Sequence, residues 1–161
     1  MKPLVVRALI ALGVLLILGA VNTAIVGKER IRRSGETVYL QLEPVDPRSL
    51  MQGDYMALRF ALVRQIEGRA DKAPGEGQIA WASVALDERR IARLADSEAS
   101  APLTLRYRIR EGHVWLGTNA FFFEEGSAER FNGARYGEFR VDRDSGEAVL
   151  VGLRNEKLEA M

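Results

Sequence analysis

A chain of 161 residues, 47% apolar and 28% charged, has room for one ordinary folded domain and a short appendage. Its net charge of +1 is unevenly split: residues 1–33 sum to +5, with Glu29 the only acid, whereas residues 34–161 hold 17 basic and 21 acidic groups, a sum of −4. Basic charge therefore flanks an apolar stretch instead of coating the domain, which argues against a nucleic-acid partner, and the absence of cysteine excludes disulfides, thiolate metal sites, a lipidated cysteine and a Cys nucleophile.

MKPLVVR is followed by ALIALGVLLILGAVNTAIV, Ala8 to Val26, without a charge. As a helix, this stretch covers about 28 Å, close to the hydrocarbon thickness of a bilayer. Residues 1–33 are read as a membrane anchor with basic flanks, and the lipid bilayer is the first expected partner. A cleaved secretory signal also starts basic and apolar, but this apolar region is long for one and no clean Ala-x-Ala follows it. Lys2 and Arg7 precede the stretch, and Lys28, Arg30, Arg32 and Arg33 follow it, so a positive-inside count slightly favours a cytoplasmic domain. A short tail before a large domain is instead the layout of an exported signal anchor. Charge alone leaves the orientation ambiguous.

From Thr37 the apolar period becomes two. Val38, Leu40 and Leu42 share a face, then Met56, Leu58, Phe60 and Leu62, then Leu103, Leu105, Tyr107 and Ile109. That alternation predicts half-buried antiparallel strands. Between the first two runs lies DPRSLMQGDY, where Pro44 and Pro47 must break the ladder and Asp46-Pro47 favours a turn. Gly53 is expected to adopt a backbone conformation closed to other residues. The Asp54 carboxylate would accept loop N–H groups, with Arg48 as its ion-pair partner. GRADKAPGEG, residues 68–77, is the loose loop. QIAWASVAL, DERR and IARLA predict a hairpin, although residues 87–95 also fit a short helix. Glu111-Gly112 predicts a tight turn into HVWLGTNAFFF, and EFRV with EAVLVGL, joined by residues 142–146, predicts another hairpin. SAERFNGARY is a helix candidate within the domain, with Ser127 as its candidate N-cap. The expected architecture is mainly β: a transmembrane helix, then over residues 34–161 an antiparallel β-sandwich or partly open barrel with one or two short helices.

Little in the sequence points to chemistry. His113 is the only histidine and sits beside a hairpin turn, too little for a zinc site or a Ser-His pair. Glu124 and Glu125 are strand neighbours that point to opposite faces, not an acid–base dyad. No phosphate loop, EF-hand or nucleophile elbow occurs, so no metal or cofactor is expected and the protein is read as not an enzyme. Arg106, Arg108 and Arg110 share one strand face, about 7 Å apart. They suit a carboxylate or lipid phosphate, or simply the wet face of a sheet paired across to Glu and Asp; stacking on Trp115 depends on register. Phe121, Phe122 and Phe123 put rings on both faces of a strand, as in a covered central strand or an edge that meets a partner.

Gly53, Asp54, Tyr55, Leu58 and Phe60 resemble the signature of the GDYXXLXY family, bacterial membrane-anchored proteins named for that motif. Phe60 stands where the signature has Tyr, keeping the ring and losing the hydroxyl. VDPRSLMQ, GTNAFFFEEG and ARYGEFRVD with GEAVLVGL extend the resemblance over nearly the whole chain. It implies a single-pass protein of the bacterial inner membrane with an extracytoplasmic domain, accompanying a multi-spanning membrane protein. It implies no assigned activity. PRSLMQGDYMAL is also loosely similar to the strand that follows the nucleophile of signal peptidases. Their serine position, eight before Gly53, is Val45 here, and no lysine lies between Lys72 and Lys157 to act as base.

Overall fold

In the computed structural model the described residues are 3–43, 51–52, 55–69, 74–97 and 101–161. The chain opens with helix α1 (Pro3–Ser34) and continues into a mainly β domain. α1 is long and apolar enough to cross a membrane, and its apolar part is exposed. The helix does not stop at Val26 but runs through the basic flank, and its last turns pack on the sheet that follows, with Ile31 buried. The flank therefore continues the apolar helix and docks on the domain; it is not a separate linker. α1 ends where the Gly35 N–H returns to the Ile31 carbonyl at 2.8 Å, a spot where a Cβ on residue 35 would stand 2.5 Å from that oxygen.

The domain holds strands β1 (Glu36–Gln41), β2 (Met51–Gln52) and β3 (Tyr55–Ala57), helix α2 (Ala61–Arg69), then β4 (Ile79–Leu86), β5 (Ala92–Leu94), β6 (Leu103–Arg110), β7 (His113–Trp115) and β8 (Ala120–Phe122). A 3-10 turn (Ala128–Phe131) precedes β9 (Tyr136–Val141) and β10 (Ala148–Arg154). All named pairings are antiparallel, in the orders β1-β9-β10, β2-β3-β8 and β5-β4-β6-β7. Bridges join these pieces. Tyr39 pairs with Ile91, linking β1 to the start of β5, and Leu42 pairs with Phe60. The tip of the β9–β10 hairpin reaches β6, where the Gly146 carbonyl accepts from the Arg106 N–H at 2.7 Å. The result is an open half-barrel wrapped around Val38, Leu40, Val84, Leu105, Phe139 and Val141.

The expected hairpins form. Glu111 and Gly112 both take positive φ, 53° and 76°, as a two-residue turn matched to strand twist requires. Residues 87–95 form a turn and β5, not a helix. Two expectations are corrected. The run from Tyr55 to Val63 is not one strand: the β3–β8 ladder ends at Ala57, and α2 begins at Ala61. Met56, Leu58, Phe60 and Leu62 are all buried as expected, but Leu58, Leu62 and Ile66 recur every four residues. The same apolar run thus satisfies both periods, and packing of Leu62 and Ile66 into the core selects the helix. SAERFNGARY, in turn, yields only a four-residue 3-10 turn. The Ser127 hydroxyl caps nothing and donates to the Glu124 carbonyl at 2.5 Å, while Phe131 is drawn into the core.

Candidate functional site

Of the signature residues, Tyr55, Leu58 and Phe60 are described, and Phe60 bridges Leu42 just past the end of β1. Leu58 and Phe60 are buried core side chains, Phe60 only 3% exposed, with its ring edge-on to Phe139 at 5.4 Å between centroids. Residues 58–60 are held on both sides: the Leu58 N–H donates to Asn119 at 2.6 Å, and the Glu43 N–H donates to Arg59 at 2.9 Å. Together with the Leu42–Phe60 bridge, these bonds stitch the first sheet to the β2-β3-β8 sheet. Gly137 lets the Phe60 ring approach, since a Cβ there would sit 3.0 Å from Phe60 Cε1 and 3.1 Å from Phe139. Tyr55 faces Phe122 across the β3–β8 ladder with ring centroids 5.7 Å apart. Asp46, Pro47, Arg48, Gly53 and Asp54, including the expected Arg48–Asp54 pair, lie outside the described residues, as does Val45.

The three phenylalanines divide by face. Phe121 and Phe123 pack on Phe131, with centroids 5.1 and 5.3 Å away, whereas Phe122 is 74% exposed. β8 pairs only with β3 among the described strands, so it is a sheet edge and not a covered central strand. Beside the signature, an open cleft of about 580 Å³ is lined by Leu58, Phe60, Val63, Glu67, His113 and Trp115, among others. His113 is exposed, with Nδ1 3.6 Å from a Glu67 oxygen. The hydroxyl in this lining, Thr118, is engaged by its own turn through Ala120. Glu124 and Glu125 are solvated.

A second feature gathers near the end of α1. Arg106, Arg108 and Arg110 project outward from β6, while Leu105, Tyr107 and Ile109 point into the core. Their cross-strand partners are not acids. Trp81 faces Arg106, Ile79 and Trp115 face Arg108 from either side, and His113 faces Arg110. The paired wet face expected from the sequence is thus realised only at Arg106, which meets Glu147 at 3.1 Å. Arg110 stacks on Trp115 at 4.7 Å, and Arg108 makes no ion pair among the described residues. Lys28 of α1 also pairs with Glu147 and closes a cleft of about 170 Å³ around these side chains. Four cations and one carboxylate line it. The arginine row was legible as alternation; the arrival of Lys28, Trp81 and Glu147 from three distant segments was not.

Sequence reading also passed over Glu138. This carboxylate is 4% exposed on the central strand β9, where it accepts from Arg154 Nε at 2.6 Å and lies 3.4 Å from Arg140. Neither its spacing nor its neighbours distinguish it from a solvated glutamate.

A membrane-length helix running without a break into an open β half-barrel defines a helix-tethered β protein. The chain belongs to the GDYXXLXY family: the model of that family, described as GDYXXLXY protein, matches residues 17–153. No curated protein and no solved structure matches the chain.

Proposed function

We propose that this chain is a non-enzymatic accessory subunit of a bacterial inner-membrane complex, tethered by α1 and carrying its β domain outside the cytoplasm. The supporting observation is the aromatic surface at the signature. Among the described residues, Phe122, on an edge strand, is the most exposed large apolar side chain of the domain, and it faces Tyr55 of the signature. Exposed aromatic rings on a rigid edge are anchors for a protein partner. That surface lies at the end of β1 away from α1, about 20 Å along six strand residues. It therefore suits the extramembrane part of a multi-spanning protein better than the bilayer itself. The test is a photo-crosslinking residue in place of Phe122 in native membranes, followed by mild-detergent purification. A stoichiometric adduct with a multi-spanning protein is expected. A monodisperse chain with no adduct would refute the reading.

A further inference from the structure

Both tryptophans of the chain, Trp81 and Trp115, flank the arginine row on the outer face of the β4-β6-β7 sheet. Trp81 is 58% exposed, and Ile79 beside it is exposed as well. Trp81 Nε1 donates to the Ser145 carbonyl at 3.2 Å and so pins the hairpin tip, but that bond does not account for an indole left mostly in solvent beside an exposed isoleucine, set among arginines. A headgroup layer does: indole rings partition to the membrane interface, and guanidinium groups reach lipid phosphates from there. The position fits. Lys28, which closes the cleft, lies two residues beyond Val26, the end of the apolar stretch, about 3 Å along the helix axis. A largely apolar groove also runs between α1 and β10: Val21, Ala24 and Ile25 line it on the membrane side of Lys28, with Val149 across, and Glu29 and Arg32 line it beyond Lys28. A polar cleft and an apolar groove that share Lys28 match the two ends of a lipid, head above and acyl chain below.

We infer that the cleft formed by Lys28, Arg106, Arg108 and Arg110 binds the phosphodiester headgroup of an anionic membrane lipid, with Trp81 and Trp115 seated in the headgroup layer. The inference rests on the membrane tether proposed above and not on the accessory-subunit reading. Arg108, free of an ion pair among the described residues, supplies a planar fork for two phosphate oxygens. Arg110 is braced on Trp115 and contributes charge at fixed geometry. Glu147 holds Lys28 and Arg106 against the cleft wall and leaves the site a net excess of three positive charges.

The test uses the full chain in nanodiscs of phosphatidylcholine containing a minority of brominated-acyl phosphatidylglycerol, against the same fraction of brominated phosphatidylcholine. Tryptophan fluorescence is the readout, because both indoles lie on this face. Brominated phosphatidylglycerol is expected to quench more strongly. The excess should fall about fivefold for each of Arg108→Gln and Arg110→Gln, and should survive Lys157→Gln, a charge-matched change beyond the far end of β10. Equal quenching by the two lipids, or an excess indifferent to Arg108→Gln, overturns the inference. Loss of the excess on adding millimolar inorganic phosphate would assign the cleft to a soluble anion and overturn the lipid assignment. A chain that fails to float with lipid vesicles would refute the tether itself, whereas a tethered chain with equal quenching would refute only the cleft.

Discussion

Replacing Phe60 by alanine tests whether the signature builds the fold. A phenylalanine ring buries about 150–250 Å², and at about 25 cal/mol per Å², less what an alanine methyl retains, its removal costs about 3 kcal/mol. Phe60 is almost fully enclosed, edge-on to Phe139 and against the Gly137 backbone, which has no side chain to fill the space. The cavity term raises the expected loss to about 3–5 kcal/mol. Because the Leu42–Phe60 bridge joins two sheets, the β2-β3-β8 sheet should loosen first. The assay is urea unfolding of the full chain in mild detergent, followed by near-ultraviolet circular dichroism. A double cycle with Phe139→Ala should return a coupling of about 1 kcal/mol for the edge-on pair. A Phe60→Ala loss below about 1 kcal/mol would show that the ring does not hold the sheets together, and would move the signature from architecture to function.

Two further outcomes follow from buried and hydrogen-bonded carboxylates. Glu138→Ala leaves Arg154 and Arg140 beside a desolvated space and should cost about 3–5 kcal/mol, part of it recovered by adding Arg154→Leu; a single-variant loss near zero in the same unfolding assay would refute the buried ion-pair account. Glu36 accepts from Arg143 and, at 2.5 Å, from Arg90, and these contacts, the Arg143 hydrogen bond foremost, hold its carboxyl below the usual glutamate range. A carboxyl depressed in the folded state adds stability above the ordinary glutamate value, and that increment is lost as pH falls through the depressed one. The urea midpoint should therefore drop on acidification below the glutamate range, and drop less in Glu36→Gln; equal drops would refute the linkage.

Wherever a residue's fate depends on its immediate neighbours, the sequence by itself determined the outcome. The uncharged run from Ala8 to Val26 reads as an apolar helix of membrane length, and it is helical and exposed. Alternation in Leu103 to Arg110 set which side chains face the core, and Glu111-Gly112 set the turn, because period and turn chemistry are local properties of the backbone. The region from Tyr55 to Arg69 shows where this stops. Leu58, Leu62 and Ile66 fit a strand on one side and a helix on the other, and packing against β1, β5 and β7 decided for α2. The candidate sites depended on tertiary structure still more. Lys28, Trp81, Arg108 and Glu147 come from four separate elements or turns, and no spacing rule relates them. They meet because the β9–β10 hairpin tip closes onto β6 while the end of α1 docks on the same hairpin. Glu138 was beyond reach for the same reason: a carboxylate carries no local mark of burial, and what neutralises it is an arginine delivered by the neighbouring strand.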